Sequence, residues 1–225
     1  MANGMLHCNE IARAIRLICQ GAAALTEDLI ESQSVRVGSN MLFEPGQQVR
    51  LRDADGEEEA TVAQRVGLTQ VVLTAPVEGE YLLSRGARIE RAAGGMSEVQ
   101  WVGHGSPELM PRSPAERYPC VLVKPEKMRQ PLGEGSNRTM QQDYSFAVYY
   151  VERYREGHEA NAEVLERAGE LMELLMSDIY LGGTCWHSQV TEVEPEPGVQ
   201  QRLRDVERPL RVVELTMLAR RAVVV

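Results

Sequence analysis

Asp143-Tyr-Ser-Phe-Ala-Val-Tyr-Tyr-Val-Glu-Arg153 leads directly into a run where Glu156, Glu159, Glu163, Glu166, Glu170 and Glu173 recur at spacings of three and four. In the first segment the even positions Tyr144, Phe146, Val148 and Tyr150 are all aromatic or apolar, the period of a strand. The odd positions Ala147, Tyr149 and Val151 are apolar too, which predicts a strand covered on both faces. In the second segment Val164, Leu165, Ala168, Leu171, Met172, Leu175 and Ile179 stand opposite the glutamates at about 100° per residue. This predicts a helix over 157–180, closed by Gly182-Gly183, with one buried and one anionic face.

Working outward, 118–124 reads as a strand entered by Pro119, which cannot donate to a ladder and suits a strand's start. Residues 125–142 are polar and hold Pro131, Gly133, Gly135 and Asn137, the letters of a long loop. Downstream, 185–194 and 208–221 read as two strands, with a polar hairpin connection over 195–206 and a strand-like 222–225 at the end. At the other end Asn9 is a candidate N-cap. Ile11, Ala14, Ile15, Ile18, Ala22 and Leu25 then share a face, so a helix is expected over 9–29. Gly21 would cost that helix about 1 kcal/mol relative to alanine.

Between these parts lie short strand-like runs at 35–37, 48–52, 60–65, 70–73, 81–83 and 87–91. Pro45-Gly46, Asp53-Ala-Asp-Gly56, Gly67, Gly79 and Gly86 punctuate them. Such spacing suggests a small closed barrel, and Phe43-Glu-Pro-Gly-Gln-Gln-Val-Arg-Leu51 reads as the opening of an SH3-like one. Residues 98–102 suggest one more strand, and 104–119 a linker. The expected fold is α+β: a largely antiparallel sheet packed against two helices, formed by 1–33 and 97–225, with an inserted small β-barrel module at 34–96.

The 225 residues are 43% hydrophobic with a net charge of −9. A disordered chain is excluded by the first number, and a general phosphate-binding surface is disfavoured by the second. Cys8, Cys19, Cys120 and Cys185 form no CxxC pair and read as buried thiols of a reducing cytosol. The first turn lacks a basic run and no apolar run approaches the ~20 residues of a membrane span. A soluble product made in the cytoplasm is therefore expected.

The order of elements resembles the tail terminator (tail-completion) proteins of long-tailed bacteriophages. Carrying the resemblance are the helix at 9–29, Tyr118-Pro-Cys-Val-Leu-Val-Lys-Pro125 entering a polar arm, its partner Asp143-Tyr-Ser-Phe-Ala-Val-Tyr-Tyr-Val151, the amphipathic helix ending at Leu181-Gly-Gly183, and the two final strands. The inserted barrel departs from the minimal pattern. The resemblance implies a virion protein assembled in the host cytoplasm: a homo-hexameric ring that caps the tail tube protein and meets a head-proximal connector or stopper. DNA passes through without specific binding, and neither cofactor nor catalysis is implied. A neck, head-completion or baseplate adaptor is the alternative. A barrel-borne hydrolase or nucleic-acid-binding module is the alternative from another class.

Three features suit assembly, each with a plainer reading beside it. The glutamates are a solvated helix face, a lumen wall repelling phosphates, or a contact to a basic neighbour. The arm, with Lys124, Lys127, Arg129 and Arg138 against Glu126 and Glu134, is a surface hairpin or reaches another subunit. Val223, Val224 and Val225 pair within their own sheet or extend a neighbour's. The histidines His7, His104, His158 and His187 lack metal-ligand spacing, and Ser106 near His104 lacks a nucleophile elbow.

Overall fold

A computed structural model describes residues 2–96, 99, 101–109, 118–129, 135–136, 139–153, 158–195, 198, 200, 203 and 210–224. The chain opens with α1 (Ala2–Cys19), whose Ile11, Ala14, Ile15 and Ile18 are buried. It stops well short of residue 29, because Gly21 stands in the left-handed region at φ +71°. Its amide donates back to the Ile18 carbonyl at 2.7 Å, which ends the helix. A Cβ there would lie 2.4 Å from the Gly94 carbonyl oxygen, so the close approach of that turn selects glycine. Ala22 and Leu25, which share the helical period, are instead buried in and just after the strand β1 (Ala22–Ala24).

The next strands are β2 (Leu29–Ile30), β3 (Ser34–Arg36), β4 (Gln48–Arg52), β5 (Glu57–Val66), β6 (Gln70–Leu73), β7 (Glu80–Tyr81) and β8 (Arg88–Arg91). Five of them join β1 in an antiparallel sheet of order β1-β8-β4-β5-β6-β3, and β2 pairs with β7. A bulge between Val62 and Gln64 bends β5, so its first half pairs with β4 and its second with β6. A bridge between Leu25 and Val37 joins the two outermost strands. The sheet is thus curled into a barrel-like module around Val35, Val49, Leu51, Val62, Val71, Leu73 and Ile89, and it takes in strands that precede residue 34.

The second sheet comprises β9 (Trp101–His104), β10 (Cys120–Arg129), β11 (Gly135–Ser136), β12 (Thr139–Arg153), β13 (His187–Glu194) and β14 (Leu210–Val224), with α2 (His158–Met176) between β12 and β13. Its order is β13-β14-β12-β10-β9, and β11 folds back on β12. The β9–β10 pair is parallel; the others are antiparallel. One face carries Val121, Val123, Tyr144, Phe146, Val148, Tyr150, Val213, Leu215 and Met217 in one apolar cluster with α1, α2 and the barrel interior. The opposite face buries Cys120, Leu122, Ala147, Tyr149, Val151 and Val212 around Leu203. The fold is α+β.

Barrel and sheet meet at a seam without side-chain bulk. A Cβ on Gly38 would sit 1.9 Å from the Gly182 carbonyl oxygen, and one on Gly183 would sit 2.6 Å from that of Gly38. Beside this contact lies Asp178, fully buried. Ser39 Oγ donates to its carboxylate at 2.8 Å, and the amides of Tyr180 and Gly182 donate at 3.1 and 2.9 Å.

On α2 the buried side chains are Val164, Ala168, Leu171, Leu174 and Leu175. Leu165 and Met172, which periodicity places on the buried face, are 49% and 38% exposed. Leu171→Ala should therefore cost about 2–5 kcal/mol, whereas Leu165→Ala should stay within about 0.5 kcal/mol of the parent. Urea unfolding of the two variants separates them; equal losses would mean that both side chains are core.

Candidate assembly interface

The arm expected over 124–142 is not a polar loop over most of its length. β10 continues to Arg129 and β12 begins at Thr139, so the two make a ribbon with Lys127 opposite Ser145, Met128 opposite Tyr144 and Arg129 opposite Asp143. Gly135 and Ser136 fold back onto Met140 and Thr139. The turn letters misled because the ribbon draws on strands from both sides: Thr139–Gln142 also pair with 221–224. A bulge between Pro125 and Lys127 leaves Glu126 out of register. The odd spacing of Lys124, Lys127 and Arg129 is absorbed there, so all three stand on one face, in line with Ala147, Ser145 and Asp143. Lys124 lies 3.5 Å from Glu126. Lys127, Met128 and Arg129 are exposed. Arg138 lies outside the described residues.

Val223 and Val224 pair with Met140 and Thr139, so the terminal strand sits in its own sheet on that edge. Arg221 fastens it further, donating to Glu10 of α1 at 2.6 Å. That hydrogen bond, above all, holds the Glu10 carboxyl below its usual range. Val225 lies outside the described residues.

The surface of α2 divides into three arcs at about 100° per residue. Glu163, Glu166 and Glu173 are exposed on one, joined by half-buried Glu170, which accepts from Arg167 at 2.7 Å. Glu156 and the side chain of Glu159 lie outside the described residues. The second arc is buried. The third is apolar yet open: Leu165, Met172 and Met176, the last 39% exposed. Met176 reaches the edge strand, with its Sδ 3.3 Å from the Val190 amide. Exposed Val193 continues β13, and exposed Trp186 stands just before it. Half of the ten exposed large hydrophobics among the described residues lie on these two adjoining elements or, as Trp186, just before the second. A single exposed leucine needs no explanation, but a contiguous patch marks an interaction surface. Sequence periodicity held the signal, in an apolar arc wider than one buried face needs.

On the far side of the sheet Glu214 is half-buried, directly opposite Glu194 in the ladder. Burial first, then the charges of Glu126 and Glu194, push its carboxyl above the usual range, and Lys124 opposes them.

Ser106 Oγ lies 3.4 Å from Glu108, and exposed His104 ends β9. Burial pushes the thiols of Cys19, Cys120 and Cys185 up to about 12, far from the thiolate that a nucleophile requires. Among the described residues no group of three His, Cys, Asp or Glu side chains is placed to hold a metal ion. Nor is any helix among them long and apolar enough to cross a membrane. Comparison with protein-family models and with curated proteins gives no match.

Glu214 yields a signed pH effect. A carboxyl whose folded pKa is raised binds its proton more tightly in the folded state, so stability falls as pH rises from the unfolded value through the folded one. Glu214→Gln should therefore be more stable than the parent at pH 7, with the gain shrinking once pH drops below the ordinary glutamate range. Thermal unfolding at pH 4 and pH 7 measures this; an advantage independent of pH would show that charge is not its source.

Proposed function

We propose that this chain is a virion structural protein of a long-tailed bacteriophage: a ring-forming tail terminator that caps the tail tube and joins it to the head-proximal connector. The observation that carries the reading is a pair of complementary surfaces on one chain. The ribbon presents exposed Lys127 and Arg129 on one face, with exposed Met128 on the other. The α2 surface presents Leu165, Met172 and Met176 beside Glu163, Glu166 and Glu173. Cation meets anion, and the apolar groups of the α2 surface gain by leaving water. Because the two surfaces differ, such a contact is head-to-tail, and repeated around an axis it closes a ring. The ring number is taken as six from the resemblance alone.

Within that reading the glutamates outside the contact shed DNA. Repeated around a lumen they repel phosphate, and passage proceeds without adhesion. The chain performs no catalysis and takes no cofactor. A neck or baseplate adaptor is the second reading, favoured by the barrel. Its β5–β6 turn exposes Val66 and Leu68 about Gly67, an apolar tip suited to docking elsewhere.

Deletion in the parent virus tests the biological claim: tails of uncontrolled length that fail to join heads are expected, and normal joined tails would defeat it. Sedimentation tests the contact. Met172→Arg and the double variant Lys127→Glu, Arg129→Glu should each weaken self-association at least tenfold, about 1.4 kcal/mol, while both retain the parent's unfolding transition. Assembly at parental affinity in both variants would remove this surface from the interface.

A further inference from the structure

A cleft of about 200 Å³ lies where the end of α1 meets the barrel, lined by Arg13, Arg16, Leu17, Gln20, Gly86 and Arg88 among others. Three arginines from two elements line it, on a chain with a net charge of −9. Neither Arg13 nor Arg16 forms an ion pair among the described residues. The Arg16 Nε is buried and makes no hydrogen bond. Arg88 is held by Glu90 on its own strand. Three guanidinium charges less this one carboxylate leave the site at +2.

The helix end explains one of these cations, since Arg16 in the last turn of α1 complements the C-terminal dipole. It does not explain Arg13 a turn earlier, nor Arg88 approaching from a strand. Like charges that share one cleft repel, and the buried Arg16 Nε has left water without gaining a partner, so the arrangement calls for an anion. The volume narrows the choice. Pockets for ordinary small molecules run to roughly 300–1,000 Å³, whereas each water occupies about 30 Å³, so this cleft suits one small ion with a few waters. Guanidinium forks match the oxygens of phosphate in pairs. A phosphate group carries about −1.5 to −2 at neutral pH, close to the charge of the site.

We infer that this cleft is an oxyanion site that binds a phosphate group, either free in solution or carried on a nucleic-acid backbone. It shares no residue with the ribbon or the α2 surface, so it stands whether or not the assembly reading does. The test is calorimetric titration of the full chain with inorganic phosphate at constant ionic strength, with chloride as control. Phosphate should bind and chloride should not. Arg16→Ala should weaken binding at least tenfold, and so should Arg13→Ala, whose exposed side chain can be removed without unfolding the protein. A short DNA duplex forms the second arm. Duplex binding that phosphate displaces, and that both variants lose, assigns the site to the nucleic-acid backbone. Phosphate binding without duplex binding assigns it to the free ion. Phosphate heats no different from chloride, or both variants binding as the parent does, would overturn the inference.

Discussion

The unbroken antiparallel pairing of β12 with β14, from Thr139 opposite Val224 to Arg153 opposite Leu210, is the constraint on which the rest depends. It joins segments separated in sequence by α2 and β13, so a long loop must close before the ladder yields anything. Once closed, it fixes two faces at once. Phe146, Val148, Leu215 and Met217 point to the layer under the helices, while Ala147, Tyr149 and Val212 point to the layer under Leu203. It also supplies the base from which the ribbon projects, the bed of the terminal strand and the inner neighbour of β13. The patch on α2 and β13 and the cations on β10 are thereby held on one rigid plate.

The barrel is bound to that plate by backbone contact as much as by apolar burial. At Gly38, Gly182 and Gly183 main chain meets main chain, and next to them a buried carboxylate is satisfied by three donors and no cation. A buried ion pair would have required desolvating a second charge. Asp178 instead draws on Ser39 from one module and on two amides from the turn after α2. Loss of any donor leaves a buried anion short of a partner, so the latch ties the orientation of the barrel to the shape of that turn.

Local patterns were legible in the sequence, and non-local consequences were not. Alternation at Tyr144, Phe146, Val148 and Tyr150 and the glutamate spacing specified the strand and helix from neighbouring letters alone. The barrel was readable from the rhythm of its turns. Gly21 was misread as helical: it ends the helix in the left-handed region, and the close approach that excludes a side chain there comes from Gly94, far along the chain. The ribbon was missed because Pro131, Gly133 and Gly135 read as loop, while the pairing of Thr139–Gln142 with the last residues cannot be seen locally. Of the candidate interface, the acidic arc was visible. That Leu165 and Met172 lie outside the packed arc was not, since periodicity assigns directions and only tertiary contact decides which become interior. The arginine cleft went unseen for the same reason: Arg88 is remote in sequence from Arg13 and Arg16.

The single unpaired residue in β10 acts as a phase shifter. With Glu126 kept in strict alternation, Lys127 and Arg129 would follow Val121 and Val123 onto the helix-covered side, where Met128 stands instead. Glu126, standing out of register, flips the parity and sends both cations to the opposite side with Lys124. Excising Glu126 would close the bulge yet leave Lys127 opposite Ser145 and both cations on the same side; what the extra residue adds is a bend in the ribbon and a carboxylate beside Lys124.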